Sequence, residues 1–288
     1  MKNFFLAARP KTLLAGVLPP LVAYAYYLSS YSESQITYLI LVVFGALFIQ
    51  LATNFFNDVI DHEKGADKNR VGPTRVSAAG LVDLKTVKTW AKSCVVLATI
   101  CGIPLILRGG VIFLFLGSLS LYLTFGYTGG KISLAYRGLG EIFVFLFFGL
   151  FSVMGSYYLF SHQISFGSFI LASIFGLLTT TFIMINNLRD RQTDTEAGKR
   201  TLATRLSIKT YQFFILLTIF APYLLLHYFR DLKMISLVFL GILPAIKLAK
   251  ISLTKSGLEL NEGLKFSGIH LIVFSSILSF IFIYENLL

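Results

Sequence analysis

The sequence predicts an all-α, polytopic membrane protein, and three observations carry that expectation. Of its 288 residues, 56% are hydrophobic and only 14% charged, a balance outside the soluble range. Nine apolar runs are each long enough to cross, as helices, a hydrocarbon core about 30 Å thick. The charge lies mainly between those runs and is concentrated in two of the links.

The first run, 13–30, follows ARPKTL, whose Arg9 and Lys11 suit an interfacial anchor. It is too long for a signal peptide, lacks a small-x-small cleavage site and is followed by eight further runs, so it is expected to remain as a span. No organelle transit peptide is visible ahead of it, which favours a bacterial or archaeal cell membrane. The second run, 36–57, leads into a long charged link at about 58–90, with a helical piece expected at 82–90. The third, 91–107, holds Cys94 and Cys101; without a CxxC or a His cluster, these read as buried thiols rather than a redox or metal site. The fourth, 111–129, ends at YTGGK, which carries Tyr127 and Lys131 and is followed by Arg137. The fifth is 139–160, and the sixth, 166–188, opens the second long link, 189–210. The last three are 211–229, 234–252 and 266–285. The four histidines are scattered and suggest no chemistry.

Nine spans would place the termini on opposite sides. With the N-terminus inside, only Arg108, Arg230 and Lys233 fall outside, and the other 22 of 25 Lys and Arg are cytoplasmic, as the positive-inside rule requires. The net charge of +11 then reflects topology, with attraction to anionic lipid headgroups as a by-product. No separate basic domain offers a place for nucleic acid. The organisation expected is one transmembrane domain over 1–288, with the two acidic links forming a cytoplasmic cap.

Those two links share a pattern. Asn54-x-x-x-Asp58 recurs as Asn186-x-x-x-Asp190, and each is followed by a glycine (65, 198) and a Thr-Arg pair (74–75, 204–205), which suggests a weak internal duplication. On a helix, Asn54, Asp58 and Asp61 share a face at i, i+4, i+7, and Asn187, Asp190 and Asp194 share one at i, i+3, i+7. Both faces lie at helix C-termini, where carboxylates are repelled by the dipole and by each other, so a cation must offset them. Carboxylates with amides suit a hard ion, and Mg²⁺ in particular takes a few carboxylates plus water and phosphate oxygens. Lys68, Arg70 and Arg75 in the first link, and Arg189, Lys199, Arg200 and Arg205 in the second, would hold the remaining phosphate charge. A single Asp could simply end a helix and face water, but two matching clusters at equivalent ends favour a site.

Together, NFFNDVIDHEKGADKNRVGPTR and NNLRDRQTDTEAGKRTLATRL resemble the two aspartate-rich signatures of the UbiA superfamily of intramembrane prenyltransferases, and the resemblance runs from ARPKTL to the last span. It implies nine transmembrane helices, a cytoplasmic cap, and Mg²⁺-dependent transfer of an isoprenyl chain from its diphosphate to an aromatic or lipid-like acceptor. Within the superfamily, ND-x-x-D-x-x-x-G-x-D with RVGP-x-R, and GLGEIFVFLFFGLFSVMGSYYL at 138–159, are similar to the 1,4-dihydroxy-2-naphthoate polyprenyltransferases. Glu141 stands where Asp is expected, and Ser207 where a Gly often follows Arg-Leu. By that resemblance Asn54, Asp58 and Asp61 carry one Mg²⁺, and Asn186 or Asn187 with Asp190 and Asp194 the other. Asp67 is a further candidate for orienting the acceptor or a loop cation. Arg9, Arg70, Lys131, Arg137 and Lys199 are the implied diphosphate clamps. The implied reaction joins polyprenyl diphosphate and 1,4-dihydroxy-2-naphthoate with loss of CO₂ and diphosphate, giving demethylmenaquinol. The alternative acceptor is 4-hydroxybenzoate or another quinone precursor. A cation transporter is a more distant reading, because it would need polar residues near the midplane of several spans, and here they gather at the cytoplasmic ends.

Overall fold

The computed structural model describes residues 2–65, 72, 74–130 and 133–287. Among them the chain is helical, with no strand. It begins with α1 (Lys2–Ala8) and α2 (Pro10–Leu28), which meet at Arg9, then α3 (Ile36–Glu63), α4 (Leu84–Gly109) and α5 (Val111–Gly126). The next span is composite: α6 (Gly140–Val144), a π-helical stretch Phe145–Met154, and α7 (Gly155–Ser161). Then come α8 (Phe166–Arg189), the short α9 (Arg191–Glu196) and α10 (Leu202–Arg205), α11 (Ile208–Leu225), α12 (Ile242–Thr254) and α13 (Leu260–Asn286).

Seven stretches are long and apolar enough to cross a membrane: Ile36–Glu63, Leu84–Gly109, Gly140–Ser161, Phe166–Arg189, Ile208–Phe229, Ile235–Thr254 and Gly257–Asn286. The two expected runs that fall short do so for different reasons. In α2, Lys11 and the prolines at 10, 19 and 20 dilute the apolar character; α5 has only 16 residues, roughly 24 Å of helix. The outer surface carries large apolar side chains, such as Leu107 at 82% exposure, Val111 at 81% and Phe115 at 63%. A surface of that kind is unfavourable in water and suits lipid. The molecule is a multi-pass membrane protein.

The helices outrun the apolar segments. α3 continues to Glu63, so Asp58 and Asp61 lie on a helix rather than in a link. α4 starts at Leu84, where the Asp83 carboxylate accepts the Thr86 N–H at 2.9 Å, an N-cap. Hydropathy marks where the chain meets lipid, whereas the backbone ladder continues wherever polar side chains find partners.

α8 is the hub. Its apolar stretch is 78% buried, against 17–50% for the other six, and a Ser165–Ser168 capping box starts it. Leu171, Phe175, Leu178 and Ile185 pack with Val22, Ile215, Phe274 and Leu278 into the main core. The π-helical stretch fits against α8 only because both surfaces lack side chains at the crossing. A Cβ on Gly149 would lie 2.5 Å from Gly176 Cα and 2.7 Å from the Ala172 carbonyl.

The connections gather at two ends. At one, the Arg108 guanidinium donates to the Leu159 carbonyl and stacks over Tyr38, and Tyr31 donates to Gln163. At the other, the ends of α3 and α8 meet the segments 127–130, 133–139 and 190–207, where Asp61, Asp190, Asp194 and Lys199 lie.

Candidate active site

The C-terminal turns of α3 and α8 face each other across a polar cavity of about 110 Å³. Among the described residues, four carboxylates (Asp61, Glu141, Asp190, Asp194) and three cations (Arg9, Arg75, Lys199) line it, with Asn57, Asn186, Asn187, Tyr127 and Thr128 between them. Below it lies an apolar chamber of about 490 Å³, walled by Phe143, Phe147, Phe148, Phe182 and Ile49 among others. Arg9, Asn57, Tyr127, Ile183 and Asn186 line both. The two cavities thus share a wall, with a polar cup above an apolar chamber.

On α3, Asp61 is 4% exposed and heavily engaged. Arg75 donates to its Oδ2 at 2.5 Å and Tyr136 to its Oδ1 at 3.1 Å, and the Lys199 ammonium stands 3.9 Å away. Lys199 also lies 3.5 Å from Asp194 on α9, so it bridges the two acidic motifs. The Tyr136 ring sits between two ammoniums, Lys64 at 4.2 Å and Lys199 at 4.9 Å from its centroid. Burial and the Asp61 charge hold the Tyr136 hydroxyl well above its ordinary pKa, so it stays a donor. Gly138 brings this segment against the second link: a Cβ there would lie 2.6 Å from the Arg200 carbonyl, and its φ of +72° suits glycine.

On α8, Asp190 accepts two hydrogen bonds from the Arg189 guanidinium, both at 2.7 Å. Asn186 accepts a third from the same group at 2.7 Å. Asn187 donates to Glu141 at 2.9 Å. Burial pushes the Asp194 carboxyl up to about 6; the Asp190 charge adds to this and Lys199 opposes it. Arg9 occupies a left-handed conformation, φ 51° and ψ 69°, which costs a non-glycine residue about 1 kcal/mol or more. That break between α1 and α2 places its side chain on the wall common to both cavities.

The expected site residues divide accordingly. Asp61, Asn186, Asn187, Asp190, Asp194, Arg9 and Lys199 come together in the cup. Asp58 does not line it. It is 1% exposed, and its two oxygens accept the backbone N–H groups of Val76 and Ser77 at 3.2 and 2.9 Å, tying the first link to α3. Asn54 lines the apolar chamber and donates to the Ala8 carbonyl and the Thr12 hydroxyl at 2.8 and 2.9 Å. Arg137 lines neither cavity; its carbonyl accepts from Arg205. The suggested Asn54–Asp58 and Asn186–Asp190 equivalence therefore does not extend to their surroundings. Asp67, Arg70 and Lys131 lie outside the described residues. The residue that the sequence reading passed over is Asn57, whose side chain accepts from the Thr128 hydroxyl at the edge of the cup. The signal was present, since Asn57 is the Asn of ND-x-x-D.

The donor set suits a hard divalent cation. Its ligands are carboxylate and amide oxygens, and its carboxylates outnumber its cations by one. No group of three His, Cys, Asp or Glu among the described residues forms a closed cage. Mg²⁺ keeps several waters or phosphate oxygens and binds through one or two carboxylates.

The model of the UbiA prenyltransferase family matches residues 17–262. The 1,4-dihydroxy-2-naphthoate octaprenyltransferase of Escherichia coli is 38% identical over 206 residues, 69% of this chain and 66% of that protein. The protein of the same name from Haemophilus influenzae is 36% identical over 217 residues, 72% of this chain and 70% of its own. The chain thus spans about two thirds of the length of these relatives. In fold it is similar to a UbiA homolog from Archaeoglobus fulgidus bound to DMAPP and Mg²⁺, with a TM-score of 0.68 at 14% identity over 98% of this chain and 99% of that one. The apo UbiA homolog from Aeropyrum pernix gives 0.68 at 16% identity over 92% and 96%.

Proposed function

The chain belongs to the UbiA prenyltransferase family, and from that premise we propose that it transfers a polyprenyl chain from polyprenyl diphosphate to 1,4-dihydroxy-2-naphthoate. CO₂ and diphosphate are lost and demethylmenaquinol is formed. The observation that carries this reading is the common wall of the polar cup and the apolar chamber. A polyprenyl diphosphate has a highly charged head on a long hydrocarbon tail, and it needs both compartments in contact. The names of the relatives supply the acceptor.

Asn57, Asp61, Asn186, Asp190 and Asp194 would hold Mg²⁺, which when bound supplies charge neutralisation that makes diphosphate a better leaving group. Arg9 and Lys199, both lining the cup, hold the diphosphate oxygens. Phe143, Phe147, Phe148 and Phe182 wall the chamber and exclude water from the allylic carbon, which must develop positive charge as the head departs. Asp67, Arg70 and Lys131 remain candidates through the resemblance alone. α2 and α5 complete nine crossings, and the N-terminus and the cup with its two acidic links face the cytoplasm of a bacterial or archaeal cell membrane. That orientation leaves Arg108, Arg230 and Lys233 as the only outer Lys and Arg.

The test is an acceptor comparison with the purified protein, polyprenyl diphosphate and Mg²⁺. The expected result is a prenylated product from 1,4-dihydroxy-2-naphthoate, poor use of 4-hydroxybenzoate, and no product in EDTA. Preference for 4-hydroxybenzoate would displace the naphthoate assignment, and full activity in EDTA would displace the metal.

A further inference from the structure

The polar cup contains one buried oxygen for which the described residues supply no donor. Glu141, in the first turn of α6, is 5% exposed. Its Oε1 accepts two hydrogen bonds, from Asn187 Nδ2 at 2.9 Å and from the Tyr211 hydroxyl at 2.8 Å. Its Oε2 accepts none. Among the described residues no Lys or Arg pairs with it; Arg75 and Lys199 are directed at Asp61 and Asp194. A buried carboxylate oxygen left this way is costly, and native structures rarely leave one unless something arrives to satisfy it.

Its position suggests what arrives. Glu141 lines the cup, as do Tyr127 and Ile183, and those two also line the chamber. Glu141 follows Gly140, whose Cβ position lies 2.8 Å from the Tyr127 hydroxyl and 2.9 Å from Ile183 Cδ1, so it stands on the side of the cup that adjoins the chamber, where the head of an amphipathic donor gives way to its tail. In an allylic diphosphate the reacting carbon is the one bonded to the head, so the acceptor ring must reach that junction. A diphosphate oxygen would be repelled by Glu141, and so would the carboxylate of a naphthoate. A phenolic hydroxyl would not, because it offers the donor that Oε2 lacks.

We propose that Glu141 Oε2 accepts a hydrogen bond from a ring hydroxyl of the aromatic acceptor, selecting hydroxylated rings and fixing which edge of the ring faces the prenyl donor. This deepens the function proposed above and rests on it. The bonds from Asn187 and Tyr211 hold the carboxylate so that Oε2 keeps its direction, linking α6 to α8 and α11. Two other roles are distinguishable from this one: an inner-sphere metal ligand, and a purely structural tie between those helices.

The experiment uses the full chain with polyprenyl diphosphate and Mg²⁺, and compares the dihydroxynaphthoate with its two monomethyl ethers, in the native protein and in Glu141→Gln. The variant keeps the shape but presents an N–H₂ group to the acceptor. In the native protein, kcat/KM should fall at least about tenfold for one ether and much less for the other. In Glu141→Gln it should fall by a similar factor for the dihydroxy acceptor, with no further loss for the sensitive ether. The KM for polyprenyl diphosphate and the Mg²⁺ concentration for half-maximal rate should change by less than about twofold. Equal use of all three acceptors by the native protein overturns the proposal, and this arm does not depend on the variant folding. A raised Mg²⁺ requirement in Glu141→Gln overturns it in favour of a metal ligand, and a uniform loss for every acceptor overturns it in favour of a structural tie. If the native protein prenylates none of these rings, the function proposed above fails and takes this inference with it; naphthoate turnover with Glu141→Gln unaffected sinks the inference alone.

Discussion

Asp58 and Asp61 lie three residues apart on one helix and perform different tasks. At about 100° per residue, Asn57 and Asp61 point to one side of α3 and line the cup, while Asp58 turns beneath Val76 and Ser77. Asn54 points near Asp61 but lies roughly 10 Å deeper along the helix, which brings it to the chamber. The i, i+4, i+7 spacing made the shared face legible, but which edge of that face meets the cup depends on how α3 is rotated against its neighbours, and no local pattern encodes that. Asp61→Asn and Asp190→Asn should each lower turnover by about 100-fold or more, and each should also lower Tm because it leaves a buried guanidinium without its charged partner. Asp58→Asn should act on stability alone. It replaces a buried charged acceptor of two N–H groups, costs about 1–3 kcal/mol, and should lower Tm while leaving the Mg²⁺ requirement of the surviving activity unchanged. Rate, Mg²⁺ titration and thermal unfolding of the three variants check this. Asp194 adds a pH dependence. Its carboxyl titrates near 6 in the folded chain against an ordinary 3.8, so the folded state holds the extra proton, and its stability falls as pH rises between those values. Mg²⁺ would bind the carboxylate form and offset that loss. The rise in Tm given by saturating Mg²⁺ should therefore grow from about pH 5 to about pH 7.5, and a rise that shrinks over that range would contradict it.

At the scale of elements, existence and order were readable, and boundaries were not. Seven of the nine apolar runs correspond to helices long and apolar enough to cross a membrane, because lipid exposure imposes a composition that a single sequence displays directly. The ends moved outward, as in α3 reaching Glu63 and α4 beginning at the Asp83 cap. The first charged link shrinks in consequence, and Asp58 and Asp61 acquire a rigid frame. The π-helical stretch Phe145–Met154 was not legible either. Its residues read as an ordinary apolar span, and the close approach of Gly149 to Gly176 within it depends on two helices meeting in space. Gly149→Ala would put a Cβ 2.5 Å from Gly176 Cα and force the two backbones apart. The expected cost is about 1–3 kcal/mol, read as a lower Tm in detergent, and a loss of activity through displaced Phe147 and Phe148. An unchanged Tm would mean that the span can slide along α8 without penalty.

For the whole molecule, Arg108 is where the positive-inside count meets the three-dimensional arrangement. The nine-span layout with the N-terminus inside sets Arg108, Arg230 and Lys233 apart from the other 22 Lys and Arg, and the structure groups Arg108 with Leu159, Gln35 and Tyr38, at the end opposite Asp61 and Lys199. In a background with Cys94 and Cys101 replaced by Ser, single cysteines at Lys85 and Gln192 should be labelled from one face of a sealed membrane, and one at Ser32 from the other. Lys85 and Gln192 reacting from opposite faces would separate the two acidic motifs and dissolve the cup. The cup itself was legible as two matching acidic clusters, whereas its union with a chamber was not, because that depends on side chains from α2, α3, α6 and α8 meeting in space. The claim that rests on this union is decarboxylating prenyl transfer to a naphthoate. The most direct measurement supplies the purified protein with polyprenyl diphosphate, Mg²⁺ and 1,4-dihydroxy-2-naphthoate labelled in its carboxyl carbon, and follows both released CO₂ and prenylated product. The account predicts one labelled CO₂ for each prenylated ring and no label in the lipid; a prenylated product that retains the label, or no prenylated product at all, would contradict it.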